Sequence, residues 1–361
     1  MKDYYENPGL LKPGDNIEGE VVWRSPSNIA LVKYWGKYGV QLPKNASLSF
    51  ALSESYTETS LYYKLTETKP KRDFLFEEKP NESFANRVWK YLDELQDIYP
   101  FLAQFDIKIQ TKNSFPHSAG IASSASALSA LALCLVDMEQ QLFASIPNHD
   151  EFLHKASYLA RLGSGSAARS VYAGFSIWGA HKVVSEESDN RFAVGFNQGI
   201  HPIFQDLNDA ILIVDDGQKE VSSSVGHSIM NNHPYSDDRL LQAHQNLTVL
   251  GNALKNGDTQ SFIKVVENEA LSLHGLMMSS DPWFILMHPN TLNIIKEIKN
   301  FRVQNDIFIC FTLDAGANVH LIYGKDHELE IRNFIDTKLK PLCHQGKVIF
   351  DRMGKGPQKI K

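Results

Sequence analysis

The feature that most constrains the fold is a strand, a turn of small residues and a helix in immediate succession. Residues Phe105–Thr111 alternate apolar and polar side chains, which predicts a strand. Residues Ala122–Val136 are rich in alanine, leucine and serine and are apolar nearly all round, which predicts a buried helix. The connection between them, residues 116–121, is short and contains proline, serine, alanine and glycine. Several unpaired N–H groups of a helix start must therefore gather at one corner.

This corner is suited to an anion. The helix dipole adds partial positive charge there, and the hydroxyls of Ser123, Ser124 and Ser126 supply further donors. Such corners most commonly bind phosphate. The alternative is a small-residue loop that lets helix and sheet pack closely. The stretch contains neither the Walker pattern nor a dinucleotide fingerprint.

Size and composition indicate an ordinary globular protein. A chain of 361 residues favours two domains, and 43% hydrophobic residues allow a large core. A net charge of −6 argues against general binding of nucleic acids or membrane surfaces. The three cysteines form neither a disulfide framework nor a zinc pattern, and no apolar run is long enough to cross a membrane. Without a signal-peptide pattern, we expect a cytoplasmic protein.

The pattern of predicted elements divides the chain into an arm and two domains. Residues 1–18 form a polar arm. Residues 19–206 hold the strand, turn and helix described above, with Leu48–Ser53 and Thr57–Leu65 predicted as two paired strands. Residues 207–361 mix helices with strands, which predicts an α+β sandwich with helices on one face of a sheet.

Two stretches of the first predicted domain place cationic side chains beside apolar or hydroxyl groups. Lys33 and Lys37 flank an aromatic pair, and solvated lysines beside buried rings are the alternative. Arg169 lies about one helical turn after Ser166, so that a guanidinium and hydroxyls can meet on one anion. A structural turn with an exposed arginine remains the other explanation.

The second predicted domain contributes a carboxylate and a hydroxyl-rich stretch. Asp314 ends an apolar strand on a turn that contains Gly316, a position typical of an aimed acid or base. An aspartate that caps its own turn is the alternative. The serines near Ser223 are either helix caps or phosphate donors.

Several motifs together resemble one family. Six motifs are similar to motifs of the diphosphomevalonate decarboxylases and occur in the same order. They are the opening motif with two lysines, its continuation, the anion corner, the glycine–serine run, the Asp314 segment and the chain end. They cover residues 28–37, 42–49, 113–127, 163–170, 311–318 and 354–358. The resemblance implies the two-domain α+β fold of the GHMP kinase superfamily. It joins a mixed-sheet ATP-binding domain to an α/β sandwich of ferredoxin-like type.

The resemblance also implies a reaction. ATP phosphorylates the 3-hydroxyl of mevalonate 5-diphosphate, and loss of phosphate and carbon dioxide then yields isopentenyl diphosphate and ADP. Asp314 would orient or deprotonate the hydroxyl, and Lys33 and Arg169 would complete the catalytic set. The residues expected to bind substrate are Asn28, Tyr34, Lys37, Ser164, Ser166, Arg169 and Ser223.

Cofactors and partners follow from the same resemblance. ATP would be bound by Pro116, Gly120, Ala122, Ser123, Ser124 and Ser126. Mg²⁺ on the ATP phosphates would lie near Ser123 and Ser124. A homodimer is expected, because the family and common oligomer symmetry favour it.

Some positions depart from the family pattern. Tyr38-Gly39 stands where the family often has Arg-Asp after the opening motif. Ala168 stands where the family commonly has cysteine, and Ala317 where it usually has proline. Ser224 stands for threonine and His227 for methionine near the expected phosphate end of the substrate. A phosphomevalonate decarboxylase, a mevalonate 3-kinase and a non-catalytic metabolite-binding protein therefore remain as alternatives.

Overall fold

The computed structural model describes most of the chain, with gaps at the amino terminus and in two internal stretches. The described residues are 5, 8–12, 14, 16–116, 123–217 and 223–361, and for 223–225 the description covers the backbone alone. Gly120 and Ala122, both expected at the ATP loop, lie outside them. No helix within these ranges is long and apolar enough to span a bilayer.

The elements are numbered in chain order. The strands are β1 (Glu18–Val32), β2 (Lys37–Tyr38), β3 (Leu42–Pro43), β4 (Ser47–Leu65), β5 (Arg72–Phe76), β6 (Lys79–Pro80), β7 (Phe105–Asn113), β8 (Phe175–Trp178), β9 (Ala193–Gly195), β10 (Asn208–Leu212), β11 (Ile309–Leu313), β12 (Val319–Tyr323), β13 (Val348–Arg352) and β14 (Gln358–Lys359). The helices are α1 (Glu82–Glu94), α2 (Ser123–Phe143), α3 (His149–Gly163), α4 (Ser223–Ser228), α5 (Ser236–Asn256), α6 (Thr259–Met278), α7 (Pro289–Asn305) and α8 (Glu328–Phe334).

A mixed sheet forms the first half of the molecule. Its strands run in the order β14, β1, β4, β7, β5 and β6, and β8 and β9 continue from β4. All pairs are antiparallel except β5 with β7. The predicted helix of the anion corner is α2, which packs its alanine and leucine side chains into the same core as β1 and β4. This confirms the expected succession of strand and buried helix.

The prediction of two paired strands within residues 48–65 is wrong, because β4 is one continuous strand. It pairs with β1 along its length, but the register shifts between Pro26 and Asn28. Pro26 is opposite Tyr56 and Asn28 is opposite Ala51, so residues 52–55 of β4 have no partner on β1. This irregularity interrupts the alternating pattern without ending the strand.

A four-stranded antiparallel sheet organises the second half, in the order β11, β12, β10, β13. The expectation of helices on one face is wrong. Phe311 and Leu313 pack with α7 and α8, while Cys310 and Ile322, on the opposite face, join the core that contains α6. Strands that are buried on both sides are apolar almost throughout, which fits the fully buried β11 and β12.

The chain end returns to the first sheet. Strand β14 pairs with β1 at Trp23 and Arg24, and Ile360 donates a backbone hydrogen bond to Val22. The division at residue 206 stays a prediction, and the last strand of the second expected domain completes the sheet of the first.

Candidate active site

Lys33 and Asp314 meet where the two halves of the molecule join. Lys33 directly follows β1, and Asp314 directly follows β11. The Lys33 ammonium donates to Asp314 Oδ1 at 3.0 Å and to the carbonyl oxygen of Ala30 at 2.7 Å. The lysine side chain is 3% exposed and the aspartate side chain 31%. Burial lowers the pKa of Lys33, and the carboxylates of Asp314 and Glu269 act against that shift.

Helix α6 holds the main chain of both residues. Glu269 Oε2 accepts from the Lys33 backbone N–H at 2.8 Å. His274, five residues later, donates from Nε2 to the Asp314 carbonyl oxygen at 3.1 Å. Arg239 of α5 forms a bidentate ion pair with Glu269, and both side chains are almost fully buried. Burial lowers the pKa of His274 to about 4, so its imidazole is neutral near pH 7.

Arg169 lies in a short 3-10 segment and is 2% exposed. Its Nε donates to Ser49 Oγ at 3.0 Å and to Asn28 Oδ1 at 3.3 Å, and Nη1 donates to Ser47 Oγ at 2.6 Å. Its guanidinium carbon lies 6.0 Å from the centre of the Trp178 ring. Burial lowers the pKa of Arg169 to about 10, which leaves the guanidinium charged at neutral pH.

Asn28 and two expected serines lie beside this arginine. Asn28 Nδ2 donates to Ser170 Oγ at 2.8 Å and to the Ser166 carbonyl oxygen at 3.3 Å, while Oδ1 accepts from Arg169. Ser164 and Ser166 are half-buried at the start of the same 3-10 segment. In this structure the Asn28 amide therefore serves to orient Arg169.

A row of rings connects Arg169 to the opening motif. The Tyr34 ring lies 4.7 Å from the Trp178 ring and 4.2 Å from the His227 imidazole. The Tyr34 hydroxyl is buried and has no hydrogen-bond partner among the described residues. A Cβ at Gly165 would lie 2.9 Å from that hydroxyl and 2.7 Å from Trp178, so only glycine permits this approach.

Lys37 is half-buried in the hairpin formed by β2 and β3, and its ammonium donates to Gln41 Oε1 at 3.1 Å. The neighbouring Gly36 N–H donates to His227 Nδ1 at 3.0 Å. Ser223 begins α4, and its side chain is outside the described part of the structure.

The serines of the anion corner divide into two groups. Ser123 is half-buried and Ser124 exposed in the first turn of α2, at the end of the helix that favours anions. Ser126 is fully buried and its hydroxyl lies 2.7 Å from Thr57 Oγ1, so its side chain is directed into the protein interior. Pro116, which precedes the undescribed residues 117–122, is exposed.

The donor set near α2 fits a nucleotide phosphate better than a protein-held metal. In the described ranges, no three histidine, cysteine, aspartate or glutamate side chains form a metal cluster. The Ser123 and Ser124 hydroxyls are oxygen ligands of the kind that Mg²⁺ accepts alongside phosphate oxygens.

Some residues of the site were not singled out from the sequence. Glu269 and His274 sit among the buried apolar residues of α6, and a charged residue within an apolar stripe was the available signal. Ser47 and Ser49 lie in the stretch that continues the opening motif, but nothing in their spacing indicates contact with Arg169.

Comparisons with known proteins identify the family of both halves of the chain. Residues 25–189 match the diphosphomevalonate decarboxylase-like N-terminal domain, and residues 210–360 match the mevalonate 5-diphosphate decarboxylase C-terminal domain. The diphosphomevalonate decarboxylase of Saccharomyces cerevisiae is 28% identical over 86% of this chain and 79% of its own length. That of Candida albicans is 25% identical over 92% of this chain and 96% of its own.

Solved structures confirm the expected fold class. Mevalonate diphosphate decarboxylase from Staphylococcus aureus superposes with a TM-score of 0.81 at 26% identity, covering 96% of this chain and 99% of that one. A structure described as MDDEF in complex with MVAPP, AMPPCP and magnesium gives 0.79 at 26% identity, with 96% and 100% coverage. The family models match both halves of the sequence, and the chain belongs to the diphosphomevalonate decarboxylase family.

Proposed function

We propose that this protein catalyses the ATP-dependent decarboxylation of mevalonate 5-diphosphate to isopentenyl diphosphate, ADP, phosphate and carbon dioxide. The observation that carries the proposal is the ion pair of Lys33 and Asp314, which joins the two halves of the molecule close to the buried Arg169. Burial lowers the pKa of Arg169 and the charge of Asp314 acts against that shift, so these side chains interact electrostatically.

The reaction requires a better leaving group at C3, because a tertiary hydroxide leaves poorly. Asp314 accepts the proton of the 3-hydroxyl while the γ-phosphoryl group is transferred to that oxygen. Breakage of the C3–O bond then releases phosphate. The electrons of the C1–C2 bond form the new double bond as C1 leaves as carbon dioxide. No electron-sink cofactor is needed.

The remaining residues bind and neutralise charge. Lys33 holds the carboxylate and the transferred phosphoryl group, since phosphoryl transfer depends on positioning and charge neutralisation. The substrate's anionic groups are held by Arg169, Tyr34, Lys37, Ser164, Ser166 and Ser223, with Asn28 orienting the arginine. Asn28 also remains a candidate donor to the substrate carboxylate.

ATP binds at the start of α2, through Pro116, Gly120 and Ala122 before the helix and the Ser123 and Ser124 hydroxyls in its first turn. The Ser126 side chain takes no part in the expected contact with ATP, because its hydroxyl faces Thr57 in the protein interior. Mg²⁺ neutralises the ATP phosphates when bound, near Ser123 and Ser124. The complex of MDDEF with AMPPCP and magnesium supports both cofactors.

The test is turnover of substrate labelled at C1. Purified protein is given ATP and Mg²⁺ with mevalonate 5-diphosphate or the monophosphate, and labelled carbon dioxide and ADP are measured. We expect one carbon dioxide per ADP, with the diphosphate preferred. Formation of ADP without carbon dioxide would indicate a 3-kinase. Preference for the monophosphate would indicate a phosphomevalonate decarboxylase, and absence of both products would indicate a binding protein.

We also propose that the protein is cytoplasmic and forms a homodimer. The three cysteines are free and buried, which suits a reducing compartment. Dimers of two-fold symmetry are the commonest assembly of soluble enzymes. Light scattering coupled to size-exclusion chromatography tests the mass, and fractionation of the source cells tests the location.

A further inference from the structure

His227 occupies a defined position beside the expected substrate-anion residues. Its ring lies between two aromatic rings, 4.2 Å from Tyr34 and 5.0 Å from Trp35. On its helix, Gly226 packs directly against Trp35, where a Cβ would lie 2.5 Å from the indole. The imidazole is therefore held in place by packing and cannot turn freely.

The hydrogen bond between the Gly36 N–H and the imidazole Nδ1 fixes the tautomer of His227. A backbone N–H can only donate, so Nδ1 accepts from Gly36 and carries no proton in the neutral ring. The proton of the neutral imidazole is then on Nε2. Among the described side chains no partner is recorded for Nε2, which leaves it as a donor for a ligand.

Groups that favour an anion surround this donor. The charges of Lys37 and Arg169 both act on the imidazole, and the buried Tyr34 hydroxyl has no partner within the part of the chain that the structure describes. The row of rings from His227 through Tyr34 to Trp178 ends at Arg169. A ligand with several phosphate oxygens could satisfy all of these donors, whereas one with fewer could not.

We propose that His227 donates a hydrogen bond from Nε2 to the phosphate end of the substrate and favours a diphosphate over a monophosphate ester. This inference rests on the proposed function, since it assumes that a mevalonate ester is bound there. His227 is a specificity-determining residue that adds one donor to the cations of Lys37 and Arg169.

The neutral imidazole fits this arrangement. Burial, and then the charges of Lys37 and Arg169, lower the pKa of His227 to about 3 in the free protein. A second proton on the ring would lie on Nδ1, where it would oppose the Gly36 N–H. His227 therefore acts as a neutral hydrogen-bond donor near pH 7 and not as a third cation.

The experiment compares His227→Phe and His227→Gln with the parent. Phenylalanine keeps the ring contacts without the donor, and glutamine can both accept from Gly36 and donate to a phosphate. His327→Phe is the matched control, because His327 is exposed and directly precedes α8. Isothermal titration with each ester in the absence of ATP gives the binding affinity, whether or not the protein catalyses a reaction. Steady-state kinetics give KM and kcat for each ester. Thermal melting verifies that the variants are folded.

For His227→Phe we expect about tenfold or greater loss of affinity for the diphosphate, the usual value of one hydrogen bond to a charged group. The loss for the monophosphate is smaller, kcat changes little, and His227→Gln and His327→Phe bind within about threefold of the parent.

Equal loss for the two esters or parental affinity in His227→Phe would overturn the inference. If the parent binds both esters but releases no carbon dioxide, the proposed function fails while the titration still decides the role of His227.

Discussion

At the scale of single residues, the site joins a nearly buried lysine to a partly exposed aspartate. Lys33 has its charge neutralised on one side by Asp314 Oδ1, and 31% of the aspartate side chain is exposed. A carboxylate in this position can accept a proton from a bound hydroxyl and is held in place by the lysine. Its chemical role can therefore be separated from its structural one.

We expect Asp314→Asn to lower kcat by about 10²- to 10⁴-fold, because the amide keeps the shape and accepts from Lys33 but cannot take a proton. KM for the ester changes little. Steady-state carbon dioxide release measures kcat, and circular dichroism verifies the fold. Turnover equal to that of the parent would contradict the assignment.

Arg169 contacts three oxygens from two strands, β1 and β4, and lysine cannot reproduce that geometry. We expect Arg169→Lys to raise KM for the ester about tenfold or more, with a smaller effect on kcat. The control is Arg191→Lys, which changes an exposed bidentate pair with Asp189. An unchanged KM in the Arg169 variant would exclude a role in substrate binding.

At the scale of elements, α6 links the two residues of the ion pair. Glu269 and His274 lie on the same helix and bind the main chain of Lys33 and Asp314, respectively. A rigid helix thus sets the distance between a residue of the first sheet and a residue of the second. Arg239 compensates the buried charge of Glu269.

We expect His274→Ala to lower kcat about tenfold, since loss of one hydrogen bond releases the turn that carries Asp314. His274→Gln, which can still donate, recovers part of the rate. Leu271→Ala, at an exposed position of the same helix, leaves kcat unchanged. A lower melting temperature with parental kcat in His274→Ala would show that the contact is merely structural.

At the scale of the whole molecule, Asp351 of β13 ties the second sheet to the irregular part of β4. Its Oδ1 accepts from the backbone N–H groups of Ser53 and Glu54 at 2.9 Å, and its Oδ2 accepts from that of Ser55 at 2.8 Å. The side chain is 5% exposed. These donors belong to the segment of β4 that has no partner on β1. One carboxylate therefore replaces the backbone hydrogen bonds that a neighbouring strand would supply there.

We expect Asp351→Ala to lower the free energy of unfolding by about 2–3 kcal/mol, because three backbone donors lose their charged acceptor. Asp206→Ala, which removes an exposed ion pair with Lys325, changes it by less than about 1 kcal/mol. Urea unfolding of both variants measures the difference. Equal effects of the two substitutions would rule out the role of Asp351 as a tie between the sheets.

The sequence predicted the strand and the helix of the anion corner close to their observed positions. Strand β7 and helix α2 were expected from alternation and from apolar composition, which burial imposes on the chain. The continuous β4 was missed, because its interrupted pattern results from a register shift with β1. The return of β14 to the first sheet was also missed, since two residues between turns carry no periodicity.

For the site, the sequence by itself determined the types of chemical group that are present. An aspartate at a strand end, two lysines around an aromatic pair and an arginine after a glycine–serine run are local features, and they were legible as a set. The tertiary structure alone decided which of them touch. Lys33 and Asp314 are 281 positions apart, and Glu269 and His274 hold them through contacts between distant segments. Periodicity reports which face of an element is buried, whereas such contacts depend on how separate elements pack.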